Sequence, residues 1–168
     1  MASGKDIVAG QLATGQYLIE KFTADLTDEE FFAAPVPGAN HAGWVLGHIA
    51  VSEDSLCAVA TGSDKRIPEA TQKLFGGESE CSNDRSKYPS RKEIEELYRQ
   101  ARAHTLEALK GFDEGKWDDP SPEGFPKEVF PTLGSIWSMQ GTHLFWHIGQ
   151  ITVCRQAMKK KRVLGGSD

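Results

Sequence analysis

Apolar residues recur at helical spacing along four long stretches of this sequence, and no stretch alternates apolar and polar residues as a half-buried strand does. That pattern predicts an all-α chain. The first helix is expected over about Asp6 to Leu26, where Ile7, Val8, Leu18, Ile19, Phe22 and Leu26 form one stripe. Thr27 to Glu30 (TDEE) then reads as a capping box, opening a short extra turn through FFAA that Pro35 halts. The second helix should open near Asn40 as its N-cap and stop near Thr61 and Gly62. Ser90-x-x-Glu93 is another capping box, and the third helix behind it carries Ile94, Leu97, Tyr98, Ala101, Ala108 and Leu109 on one face. Thr132, after Pro131, is the expected N-cap of a fourth helix lasting to about Lys160.

Four helices of this length can wrap one core as a four-helix bundle. Two long inserted loops separate them. Residues 62–89 are rich in Gly, Ser, Asp and Lys, and residues 111–131 hold four prolines and three glycines. The first insert is long enough to run back along a helix, so the second and third helices can be parallel. An up-down-down-up topology is the expectation.

The chain's 168 residues point to a single domain over 1–168, large enough to bury a core without staples. A net charge of −5 argues against nucleic-acid and acidic-membrane partners. The one basic run, Lys159 to Arg162 (KKKR), reads as cations complementing the end of the last helix. No segment has the ~20 apolar residues of a membrane span. The opening MASGKDIVAG lacks the apolar centre of a signal peptide. Cys57, Cys81 and Cys154 are odd in number and form no CxxC pattern, which fits a reducing cytoplasm.

The last helix raises the chemical question. HLFWHIGQ (His143 to Gln150) places two of the chain's five histidines four apart among apolar residues. At ~100° per residue, His147 falls ~40° from His143, on a stripe shared with Ile136, Gln140, Gln150, Ile151, Cys154 and Met158. About one turn of rise lets both imidazoles converge on one ion. HLFWH lacks the Glu of HExxH, which excludes a zinc protease of that type. The third ligand is expected from the second helix, where His48 shares a face with Val45, Ser52, Leu56 and Val59. His41 lies near the same face but about 10 Å earlier along the axis, so it is the alternative to His48, not its companion. His104 has no companion motif.

By spacing alone, metal ligation and a hydrogen-bonded histidine core both remain open, because each neutral imidazole needs a donor and an acceptor satisfied. Gln140, Gln150 and Ser52 are candidates to hydrogen-bond a ligand imidazole or a substrate oxygen, with Glu53 a further one. Asp54 points away from His48, and Cys154 reads as core and not as nucleophile. Outside its histidine stripe the last helix still carries Trp137, Leu144, Phe145, Trp146, Ile148 and Val153. An apolar surface nearly all round predicts cover by a partner subunit, as in a C2 homodimer built on this helix, or by the inserts. Gly141 and Gly149 fit close helix approach there, or room for the ion.

WVLGHIA (Trp44 to Ala50) early in the second helix, followed by His-x-x-x-His-x-Gly-Gln in the last, resembles the DinB/YfiT-like superfamily of metalloenzymes. The resemblance spans nearly the whole chain, though its specific part is about a dozen residues in these two blocks. It implies the up-down-down-up bundle, frequent homodimers, and one divalent ion, usually zinc or nickel, held by three histidines. Residue by residue these are His48, His143 and His147. It also implies thiol-dependent transferases and isomerases that use low-molecular-weight thiols such as bacillithiol or mycothiol, and it does not imply DNA chemistry. The inserts at 62–89 and 111–131 depart from the common pattern, so the substrate does not carry over.

The expected function is therefore a metal-dependent enzyme acting on a small molecule. Water at the ion gives hydrolysis, and a thiol there gives transfer; the resemblance favours the thiol. The alternative is a non-enzymatic dimeric protein that binds or senses a metal or ligand. A metal-free bundle is the third.

Overall fold

The computed structural model describes residues 2–165, whose regular elements are all helices apart from an isolated bridge between Pro120 and Thr132. Helix α1 spans Gly4–Thr23, two residues ahead of the expected start. Ser3 and Asp6 form a capping box there that the apolar pattern had masked. Ile7, expected on the apolar stripe, faces outward at 56% exposure, while Val8, Leu12 and Ile19 are buried. Helix α2, Asp28–Phe31, is the short turn opened by the Thr27–Glu30 box. Helix α3, Ala42–Thr61, is capped by His41 and not by Asn40, and Gly62 ends it at φ 70°.

The 62–89 insert is not all loop. It contains helix α4, Glu69–Phe75, and a 3-10 turn at Arg85–Lys87. Helix α5, Arg91–Gly111, opens on the Ser90–Glu93 box. A second 3-10 turn, Glu114–Lys116, lies in the insert that follows. Helix α6, Leu133–Ala157, is capped by Thr132 as expected but stops short of Lys160. Lys159 takes φ 56°, and Lys160 N–H returns to the Arg155 carbonyl at 3.0 Å. The basic run thus lies past the helix; Lys160 Nζ pairs with Glu30 at 2.7 Å. No helix is long and apolar enough to cross a membrane among these residues.

Contacts give the helix directions. Gln11 meets Gly141, Gly15 meets Leu144, and Arg155 donates to the Phe22 carbonyl at 2.7 Å, so α1 and α6 run the same way. Glu53 pairs with Arg102 and Cys57 Sγ lies 3.7 Å from His104, so α3 and α5 also run the same way. The start of α3 meets the later turns of α6, where Asn40 accepts from Cys154 Sγ at 3.3 Å. Its far end shares a groove with Leu133 at the start of α6, so these two are antiparallel. At Gly141 a Cβ would lie 2.3 Å from Gln11 Oε1 and 2.9 Å from Gln11 Cβ, so the missing carbon makes room for the Gln11 side chain between α1 and α6. Gly149 faces open space.

The core gathers Leu12, Ile49, Ile94, Ile136, Trp137, Leu144 and Ile151. A buried ion pair sits within it. Arg102 Nε donates to Glu53 Oε2 at 2.9 Å, Nη2 donates to Glu53 Oε1, and Nη1 donates to the Leu12 carbonyl. Glu53, weighed from the sequence as a partner of the histidines, is committed here instead.

Candidate metal centre

Each histidine of the trio is aimed by its own helix. His48 sits two turns into α3, where the Trp44 indole stacks on it at 4.8 Å and 9°. His143 and His147 occupy successive turns of α6. The three converge through Nε2: His143 to His147 at 2.9 Å, His48 to His143 at 3.3 Å, all ligand atoms within 4.8 Å of one another.

Outer partners decide which nitrogen His48 and His147 present. His48 Nδ1 lies 2.7 Å from the Phe75 carbonyl, an acceptor only, so the hydrogen belongs on Nδ1 and the Nε2 lone pair faces inward. His147 Nδ1 lies 3.1 Å from Gln150 Oε1, which also accepts from Asn40 Nδ2 at 3.3 Å, with the same result. Asn40, expected as an N-cap, thus braces Gln150. Ser52 Oγ stands 3.4 Å from His48 Nε2.

All three rings are held neutral. Burial, then the charges His147 and His48 would carry, holds His143 down at about 3. Burial, then His48, holds His147 down at about 4, with Gln150 opposing. Burial also lowers His48 against the pull of the Phe75 carbonyl. His48 and His147 turn Nε2 lone pairs inward, and His143 Nε2 lies within 3.3 Å of both, a neutral donor set suited to a cation. Tetrahedral zinc with bonds of about 2.0–2.1 Å keeps its nitrogens about 3.3 Å apart. The His48–His143 separation of 3.3 Å matches that value, the His143–His147 separation of 2.9 Å falls short of it, and all three atoms lie within 4.8 Å of one another, so the residues present fit a divalent ion.

The trio forms part of the wall of an open cleft of about 920 Å³. Trp44, Val51, Ser52 and Leu56 line it from α3, Met139 and Trp146 from α6, and Phe130 from the 111–131 insert. Gln72 and Lys73 of α4 and the glycines after it close the other side. Its size suits a small molecule.

The remaining sequence candidates lie elsewhere. Gln140 is buried, and its amide has no partner among the described residues, so it makes no bond to the trio. His41 caps α3, its Nδ1 accepting from Trp44 N–H at 2.9 Å. His104 lies against Cys57. Asp54 accepts from the Arg66 and Ile67 backbone N–H groups. Burial pushes the Cys154 thiol up to about 11, as suits a core residue. Sequence reasoning missed α4 and its carbonyl on His48. Pro68 followed by EATQKLF and a Gly-Gly stop was the available signal.

No curated protein matches the chain significantly. A crystal structure titled as the conserved protein of locus from Enterococcus faecalis shares the fold at a TM-score of 0.74 and 16% identity, covering 92% of this chain and 96% of that one. The family model of the DinB superfamily matches residues 11–151, bringing in both histidine blocks, and the chain belongs to that superfamily.

Proposed function

We propose that this protein is a metal-dependent enzyme of the cytoplasm. It uses His48, His143 and His147 to hold one divalent ion, zinc or nickel, and acts on a small molecule. The observation that carries the reading is the inward convergence of three Nε2 atoms on neutral rings, with the outer nitrogens of His48 and His147 already engaged. When bound, such an ion supplies Lewis acidity that favours the ionised form of a water or thiol. The chain's own part is placement. Ser52 offers a hydroxyl beside the centre, Trp44 fixes the plane of His48, and the cleft holds the substrate.

Family membership favours thiol transfer over hydrolysis. In that reaction a low-molecular-weight thiol gives its proton to solvent and its sulfur bonds to an electrophilic carbon. The leaving group departs with the bonding pair. A homodimer through α6 belongs to the same proposal, supported by Phe145, Trp146 and Val153 at 38%, 68% and 53% exposure.

The non-enzymatic reading, a dimeric metal- or ligand-binding sensor, has one observation in its favour. Among the described residues no carboxylate or ammonium hydrogen-bonds the trio or Ser52, and the cleft's ionisable groups, Lys65, Glu69, Lys73 and Glu78, line it without touching them. Elemental analysis with anomalous scattering at the zinc and nickel edges tests the centre. Turnover of a thiol with an electrophile, lost on chelation and restored by Zn²⁺ or Ni²⁺, tests the enzyme. A bound ion with no metal-dependent turnover favours the sensor; no ion in metal-replete protein removes both.

A further inference from the structure

Helix α4 stands outside the main bundle, yet it touches the centre at one atom. Its last residue, Phe75, offers a helix-end carbonyl that no backbone N–H among the described residues takes up; Gly76 N–H returns to Gln72. His48 Nδ1 fills that position at 2.7 Å. The Trp44 stack fixes the plane of the His48 ring, but a stack does not distinguish Nδ1 from Nε2. The Phe75 carbonyl does.

Two features seat α4 where this bond can form. The Phe75 ring is fully buried against Gly47, where an added Cβ would lie 2.5 Å from the ring carbons. The missing side chain is therefore the slot that receives Phe75, one residue before the ligand itself. At the other end, Asp54 accepts from the backbone N–H groups of Arg66 and Ile67, at 3.0–3.1 Å, and pins the chain that leads into α4. α3 thus grips the insert on both sides of α4, through two residues that do not themselves ligate.

We infer that the seating of α4 on Gly47 sets the metal affinity of the three-histidine centre, with Phe75 as a positioning residue acting through its backbone carbonyl. The inference rests on the metal reading above. It makes the 62–89 insert part of the centre and not an ornament of the family fold. Because coupling between two equilibria is reciprocal, an ion at the trio must in turn hold α4 down. The same helix lines the cleft through Gln72 and Lys73, so a substrate lying there presses on the element that orients His48.

The test uses the full chain and Zn²⁺ alone. Zinc affinity is measured by competition with a chromophoric chelator for the wild type, Gly47→Ala and Asp54→Ala. Hydrogen exchange of the amides of residues 69–75 is followed with and without zinc. Each variant should bind zinc about 10- to 100-fold more weakly at unchanged helical content, the range typical of losing an outer partner of a ligand. Zinc should slow exchange across α4 in the wild type. A wild type that takes up zinc while both variants match it within twofold, or while α4 exchanges equally fast in both states, overturns the inference and leaves the metal reading intact. A wild type that takes up no zinc overturns the metal reading, and this inference with it. If Gly47→Ala does not fold, Asp54→Ala and the wild-type exchange measurement still decide the matter.

Discussion

Gln150 Oε1 lies 3.1 Å from Nδ1 of His147 and receives Asn40 Nδ2 from the other side at 3.3 Å. A residue of α6 thereby fixes the tautomer of a trio histidine on the same helix, and a residue just before α3 fixes the amide in turn. Gln150→Leu keeps the bulk and removes the acceptor, so zinc affinity should fall about 10- to 100-fold. Gln150→Glu retains an acceptor and should retain affinity. A calorimetric titration with Zn²⁺ checks both; an undiminished Leu variant would mean His147 is oriented by packing alone.

Acid should destabilise the metal-free protein well before its carboxylates titrate. His41 is fully buried, its Nδ1 must stay unprotonated to accept from Trp44 N–H, and burial holds it down at about 4. In the unfolded chain a histidine titrates near about 6.5. The folded value is the lower one, so the stability is present above about pH 6.5. It is lost progressively as pH falls toward 4, because the unfolded state takes up a proton that the folded state refuses. For His41 alone the loss between about pH 7 and 5.5 is about 1 kcal/mol. His143 and His147, lowered to about 3 and 4, add to it with the same sign. Urea unfolding at a series of pH values in the presence of chelator measures the slope. His41→Asn, which keeps a capping oxygen, should make that slope shallower; an unchanged slope would place the acid sensitivity elsewhere.

The helices were legible because capping boxes and apolar stripes are local signals: Thr27–Glu30, Ser90–Glu93 and Thr132 all cap where expected. The trio was legible for a related reason. An i, i+4 pair on a stripe fixes two rings, and the face of α3 leaves His48 as the partner in register. What escaped depends on contacts between segments far apart in the chain. Phe75 reaches His48 across 27 residues, Asn40 reaches Gln150 across 110, and Arg102 claims Glu53 across 49. Helical periodicity places a side chain on a face but does not say which other segment will meet it. Gln140 shows the converse, since it shares the histidine stripe and still makes no bond to the trio.

The Glu53–Arg102 pair should prove costly to break and cheap to replace. Both side chains are nearly inaccessible, and burial pushes the Glu53 carboxyl up while Arg102 pulls it down. Arg102→Leu leaves an uncompensated buried acid and should destabilise by about 3–5 kcal/mol. Glu53→Leu should do comparable harm by stranding the guanidinium. Together with Arg102→Leu it should recover much of that loss, because neither charge remains to be desolvated. A double-mutant cycle from denaturant unfolding reads the coupling. Strictly additive losses would mean the two side chains act independently despite their contact.

The outer face of α6 is where a substitution tests the proposed dimer without touching the centre. Phe145, Trp146 and Val153 expose apolar surface there, and Gly149 between them leaves a shallow opening. A two-fold contact would set this patch against itself, so one substitution enters the interface twice. Trp146 also lines the cleft, which makes it a poor probe, whereas Val153 does not line it. Val153→Glu places two like charges in the contact. A penalty of about 3 kcal/mol would weaken association roughly a hundredfold. Light scattering on size-separated protein at micromolar concentration should show a dimeric wild type and a monomeric variant, each binding zinc with the same stoichiometry. A wild type that is monomeric under these conditions rules out the α6 dimer. A dimeric Val153→Glu of unchanged affinity moves the interface to another face of the bundle.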